Sequence, residues 1–98
     1  MFIFGGGSKE ERRRRKLIDG LDRAQQRKRF DKALNILVEL IKLERRNPRW
    51  YHKRGDLLRR IGEDKEAILA YDRAVELYAN QGLLARAVAV AKTILSLD

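Results

Sequence analysis

The chain has 98 residues, 44% of them apolar, enough for one modest core and hardly more than one domain. It has no cysteine, which removes disulfides, thiolate metal sites and cysteine nucleophiles together and fits a reducing cytoplasm. Twenty-three Lys and Arg against 14 Asp and Glu give a net charge of +9, and the excess is uneven: the segment from Lys9 to Arg29 holds ten basic and four acidic residues.

No run reaches the roughly 18 apolar residues that a membrane span needs. The opening "MFIFGGGSKEERRRRK" places its basic cluster after its apolar one, the reverse of a secretory signal. A soluble, cytoplasmic protein is expected. Gly5, Gly6 and Gly7 make residues 1–8 read as a flexible tail ahead of a single helical domain, residues 9–98.

Ser8 with Glu11 three residues later has the spacing of a capping box, so the first helix is expected to start near Lys9. Leu17, Leu21 and Ala24 form its apolar stripe, with Ile18 beside them, and it ends before Phe30. The second helix is expected from about Asp31 to Arg45. Its apolar residues, among them Ala33, Leu37, Leu40 and Ile41, cover more than one side and call for neighbours on two faces. Asn47 then caps, Pro48 takes the first helical position, and a third helix runs to Ile61. Gly62 suits a left-handed helix terminus, a fourth helix spans about Asp64 to Asn80, and Gly82 gives a second stop before a fifth, Leu83 to Leu97. No segment alternates with strand period. The expected class is all-α, with about five antiparallel helices and short connections.

Within this series a period of 34 recurs: Ala33 pairs with Ala67, Leu37 with Tyr71, Leu40 with Ala74, Ile41 with Val75 and Leu17 with Tyr51. Tyr51, Gly55 and Leu58 on one helix, Gly62 at the turn, and Ala67, Tyr71 and Ala74 on the next give a pattern that resembles the tetratricopeptide repeat (TPR) family. Arg54 stands where that pattern has Leu, and the stretch Leu17 to Leu43 keeps the spacing without Gly or the aromatics. Only 20 residues separate Ala67 from Ala87, so the fourth helix must serve two repeats. The resemblance covers about residues 14 to 98. It implies a TPR-like helical solenoid and a protein-interaction scaffold, similar to N-terminal modules of bacterial multidomain regulatory proteins.

The resemblance also implies a binding groove on the first helix of each repeat. Its positions here are Arg15, Ile18, Asp22, Gln25 and Gln26, then Arg49, His52, Asp56, Arg59 and Arg60. Members that grip a terminal carboxylate use a Lys and Asn pair where this chain has His52 and Asp56.

The chemistry-bearing inventory is thin: one histidine, no cysteine, and Ser8, Thr93 and Ser96 as the aliphatic hydroxyls. No catalytic, metal or cofactor site is expected, and His52 reads as a surface or groove residue. Glu10 with Arg14, Glu11 with Arg15, Asp19 with Arg23 and Asp56 with Arg60 fall at helical ion-pair spacing. The run Arg12, Arg13, Arg14, Arg15 and Lys16 has four readings. It is a solvated helical turn, a phosphate contact for nucleic acid, a partner of the MFIF tip on anionic lipid, or a site for an acidic protein. The leading functional expectation is a non-catalytic adaptor for a segment or face of another protein, and the alternative is the basic surface module. Finally, Leu84, Val88 and Leu95 lie on an apolar arc of the fifth helix wider than one neighbour can cover. They predict self-association there, and the family pattern suggests that a longer protein continues past Asp98.

Overall fold

The computed structural model describes residues 7–97, so the MFIF tip, most of the expected tail and Asp98 lie outside the described residues. Among them five helices form and no strand: α1 (Lys9–Gln26), α2 (Phe30–Leu43), α3 (Pro48–Arg60), α4 (Asp64–Asn80) and α5 (Leu84–Leu97). The capping box at Ser8 and Glu11 forms as the spacing predicts, and Asn47 caps α3 ahead of Pro48. The third helix ends at Arg60 and the fifth starts at Leu84, each one residue inside the expected bound, and the second helix differs at both ends. The second helix begins at Phe30 and stops two residues before Arg45, because Glu44 leaves the helical region at φ −135° to serve as a hub described below.

Three of the four connections are the same turn. Lys28 N–H donates to Gln25 and Arg29 N–H to Ala24; Gly62 and Glu63 bond Arg59 and Leu58; Gly82 and Leu83 bond Ala79 and Tyr78. Each is the double closure that ends a helix on a left-handed residue. In each, the next helix begins at once, with an alanine N–H returning to the turn: Ala33 to Arg29, Ala67 to Glu63, Ala87 to Leu83. All three alanines are buried, since only a small side chain lets the second helix close so soon on the first. Gly62 and Gly82 take the left-handed conformation without penalty, whereas Lys28 holds φ 57° at a cost of about 1 kcal/mol.

Every helix packs on its neighbours in sequence, α1 on α2, α2 on α3, α3 on α4 and α4 on α5. Cross-helix contacts run in opposite order in α1–α2, where Arg13 meets Glu39 and Gly20 faces Ile36, and in α3–α4, where His52 meets Tyr78 and Gly55 faces Tyr71, as antiparallel neighbours require. The result measures 53 × 33 × 18 Å, about two helix diameters deep. Two clusters form the core. Leu21, Ala24, Ala33, Leu37, Leu40, Trp50 and Leu57 join α1, α2 and α3; Leu58, Ala67, Tyr71, Ala74, Tyr78, Ala87 and Val90 join α3, α4 and α5. Adjacent residues Leu57 and Leu58 thus face opposite clusters, which makes α3 their common wall, and α2 has neighbours on two faces as its apolar pattern predicts.

The α3–α4 pair is the tightest. A Cβ on Gly55 would lie 2.5 Å from two ring carbons of Tyr71, a fully buried ring, so glycine is required for the helices to meet. Gly20 in α1 is looser, its Cβ position 3.4 Å from Ile36 Cδ1. Urea melts should therefore separate the two glycines. Gly55→Ala is expected to lose about 1–3 kcal/mol through overpacking, while Gly20→Ala is neutral or gains up to about 1 kcal/mol of helix propensity. Tyr71→Ala is expected to lose about 3–5 kcal/mol. Equal effects at the two glycines would refute this packing.

Candidate functional site

Arg49, His52, Asp56 and Arg59 follow each other at helical spacing along α3, a polar row whose two middle side chains are held from α4. Tyr71 Oη donates to Asp56 Oδ1 at 2.7 Å, and His52 Nδ1 meets Tyr78 Oη at 3.0 Å. The His52 ring stands edge-on to both tyrosines, with centroids 6.1 and 5.8 Å away. Burial and the Asp56 hydrogen bond and charge push the Tyr71 phenol up to about 12, with Arg59 opposing from the other side. Burial also raises Tyr78, against the charge of Arg86 and helped by that of Asp56. Arg49 lies 5.0 Å over the Trp50 ring.

The row has no nucleophile for a base to activate, and the histidine nitrogen that would have to be oriented by a carboxylate meets a phenol instead. The row presents a cation, an imidazole, a carboxylate and a second cation in order along one helix face. The α1 positions are less organised. Ile18 and Gln25 are half-buried and Asp22 and Gln26 exposed, and no hydrogen bond or ion pair ties Asp22 or Gln25 to the α3 row. The two helices do meet at Trp50, which shares a cluster with Leu21 and Ala24.

The arginine run is largely occupied inside the fold. Arg12 Nη1 donates to the Gly7 carbonyl at 2.7 Å, Arg13 Nη2 reaches Glu39 Oε1 at 2.6 Å, and Arg14 Nε reaches Glu44 Oε2 at 2.9 Å. Arg15 and Lys16 are exposed on the same helix. The expected pairs Glu10–Arg14, Asp19–Arg23 and Asp56–Arg60 are not among the ion pairs of the described residues. Glu39 on α2 takes Arg13 and Glu44 just beyond its end takes Arg14, Tyr71 takes Asp56, and the Glu11 carboxylate accepts from Ser8 N–H in the capping box.

Two features escaped the sequence reading. The aromatic of α3 that is fully buried is Trp50, while Tyr51 is half-buried. As the chain's single tryptophan, placed two residues after the helix-starting proline, Trp50 carried a signal that the repeat pattern masked. The second is a cationic surface at the α1–α2 turn, considered below. On α5, Leu84, Val88 and Leu95 are 63%, 54% and 74% exposed, while Ala87 and Val90 face α4. Among the described residues no helix is long and apolar enough to cross a membrane, and no group of His, Asp or Glu is placed to hold a metal ion.

No protein-family model matches the chain, and neither a curated protein nor a solved structure matches it.

Glu44 organises the elbow between α2 and α3. Its carboxylate accepts from Trp50 Nε1 at 2.7 Å, Asn47 Nδ2 at 3.1 Å and Arg14 Nε at 2.9 Å. Burial alone would raise this carboxyl, but the bonds from Trp50 and Asn47 and the Arg14 charge outweigh it and hold the group below its ordinary 4.5. A lowered carboxyl contributes stability above the unfolded value, lost as pH falls through the folded value. Urea melts at about pH 6 and about pH 3 should show a larger acid loss for the native chain than for Glu44→Gln. Parallel losses would remove Glu44 from the acid response.

Proposed function

We propose that this chain is a non-catalytic protein-interaction module of TPR-like helical-repeat architecture, an adaptor or scaffold in bacterial signalling or regulation. It holds a segment of a cytoplasmic partner against the polar row of α3. The observation that carries this reading is the pair of tyrosine hydroxyls that fix Asp56 and His52 from beneath. Side chains already ordered in the free protein lose little entropy when a partner binds, which is what a recognition surface needs. The Gly55–Tyr71 contact and the thrice-repeated turn support the repeat architecture. The occupied state of Arg12, Arg13 and Arg14 weighs against the basic run as a nucleic-acid or lipid contact.

Capture from a bacterial cytoplasmic extract, followed by mass spectrometry, tests the row directly. The double variant Arg49→Glu, Arg59→Glu is expected to lose the specific partner while keeping the helical spectrum and nearly the same melting temperature, since exposed charges contribute little to stability. Unchanged capture would move the site away from α3.

The exposed stripe of α5 is assigned to a second copy of the chain, because contiguous apolar surface favours cover. Light scattering over a concentration series should show reversible self-association that Val88→Glu removes. A strict monomer, insensitive to that substitution, would overturn the assignment.

A further inference from the structure

A cluster of cations without ion pairs lies beyond the arginine run. Arg23, Arg27, Lys28, Arg29 and Lys32 are exposed, and among the described residues none has an ion pair. They surround the α1–α2 turn, where a cleft of about 420 Å³ adjoins a smaller one of about 130 Å³, with Arg29 and Lys32 lining both. The larger cleft has an apolar floor. Phe30 is half-buried and its ring is held by the Arg60 guanidinium at 5.3 Å, and Ile61 at the end of α3 remains 40% exposed. Asp31 is the one carboxylate that lines it.

Turn geometry does not account for this charge. The α3–α4 turn makes the same hydrogen bonds, yet residues 61–66 carry one cation and three carboxylates, against four cations and one carboxylate in residues 27–32. Since the same backbone closes with either sign, the positive set is available for recognition. Unpaired cations around an apolar floor match carboxylates around an apolar side chain.

We propose that the α1–α2 turn docks an acidic segment of a partner protein, seating one apolar side chain on Phe30 and Ile61 while flanking carboxylates meet Arg27, Arg29 and Lys32. This deepens the interaction-module reading and rests on it, but uses a surface separate from the α3 row. Single-stranded nucleic acid fits less well, because such sites stack successive bases on several aromatic rings and Phe30 is the one aromatic that lines the cleft.

The probe is a labelled peptide with one leucine flanked on each side by three glutamates, followed by fluorescence anisotropy and by amide chemical shifts of the whole chain. Shifts are expected at residues 27–32 and at Ile61. Arg27→Gln, Arg29→Gln and Lys32→Gln together should weaken binding about tenfold or more. Removing the same charge elsewhere, with Lys16→Gln, Arg45→Gln and Lys92→Gln, should weaken it far less. Replacing the peptide leucine with serine, or Ile61 with serine, should also weaken binding. Equal weakening by both charge variants, indifference to the leucine, tighter binding of a single-stranded DNA 12-mer, or no peptide binding each overturns the proposal. Absence of peptide binding leaves capture at the α3 row intact, so the failures of the two readings are distinguishable.

Discussion

One carboxylate fixes the elbow at which the two halves of this molecule meet, beside the apolar cluster that α1, α2 and α3 share. Because each helix packs on its neighbours in sequence, the α1–α2 pair and the α3–α4–α5 group meet through the α2–α3 elbow and the wall that α3 provides. The elbow lacks the turn used at the other three connections. In its place Glu44 gathers Arg14 from α1, Asn47 from the linker and the indole of Trp50 from α3. That indole is fully buried among Leu21, Leu37 and Leu40, and its N–H would have no partner without the carboxylate. Burying such a donor unsatisfied costs about 1–3 kcal/mol, so the packing of Trp50 and the elbow bonds depend on each other. The early end of α2 follows, since Glu44 must leave the helix to face all three donors.

Around that joint the architecture is indifferent to surface charge. The recurring turn is built by backbone hydrogen bonds, one left-handed residue and one buried alanine, and none of these constrains the residues that project from it. The α1–α2 turn is basic and the α3–α4 turn acidic on the same frame. The core positions fix where the helices lie, and exposed positions can vary without disturbing them.

Much of this was readable from spacing. Helix number, order and most boundaries were carried by Ser8–Glu11, Asn47–Pro48, Gly62 and Gly82, because caps and left-handed positions are local and depend on few residues. Ala33, Ala67 and Tyr71 were likewise legible, since burial at fixed helical intervals shows as a period. Other features depend on contacts between helices and have no such mark. Lys28 takes a left-handed turn without glycine, held by the same bonds as its two equivalents. Arg13 and Arg14 pair with residues more than twenty positions away, although carboxylates stood at closer helical spacing. Asp56 looked free to pair with Arg60 until Tyr71 reached it from α4.

Tyr71 shows how core packing and surface order are one property here. Its ring fills the space that Gly55 leaves, so the α3–α4 distance is fixed by contact between backbone and aromatic carbon. Its hydroxyl emerges at the edge of that contact and donates to Asp56, and its ring edge bounds His52. The polar row therefore inherits its geometry from the core. A change that loosened the helix pair would disorder the polar row even if none of its side chains were replaced. The reverse does not hold, because exposed members such as Arg49 contribute little to the packing beneath them. If the row is the binding surface proposed above, altering it should change what is bound, and altering the core beneath it should change whether anything is bound at all.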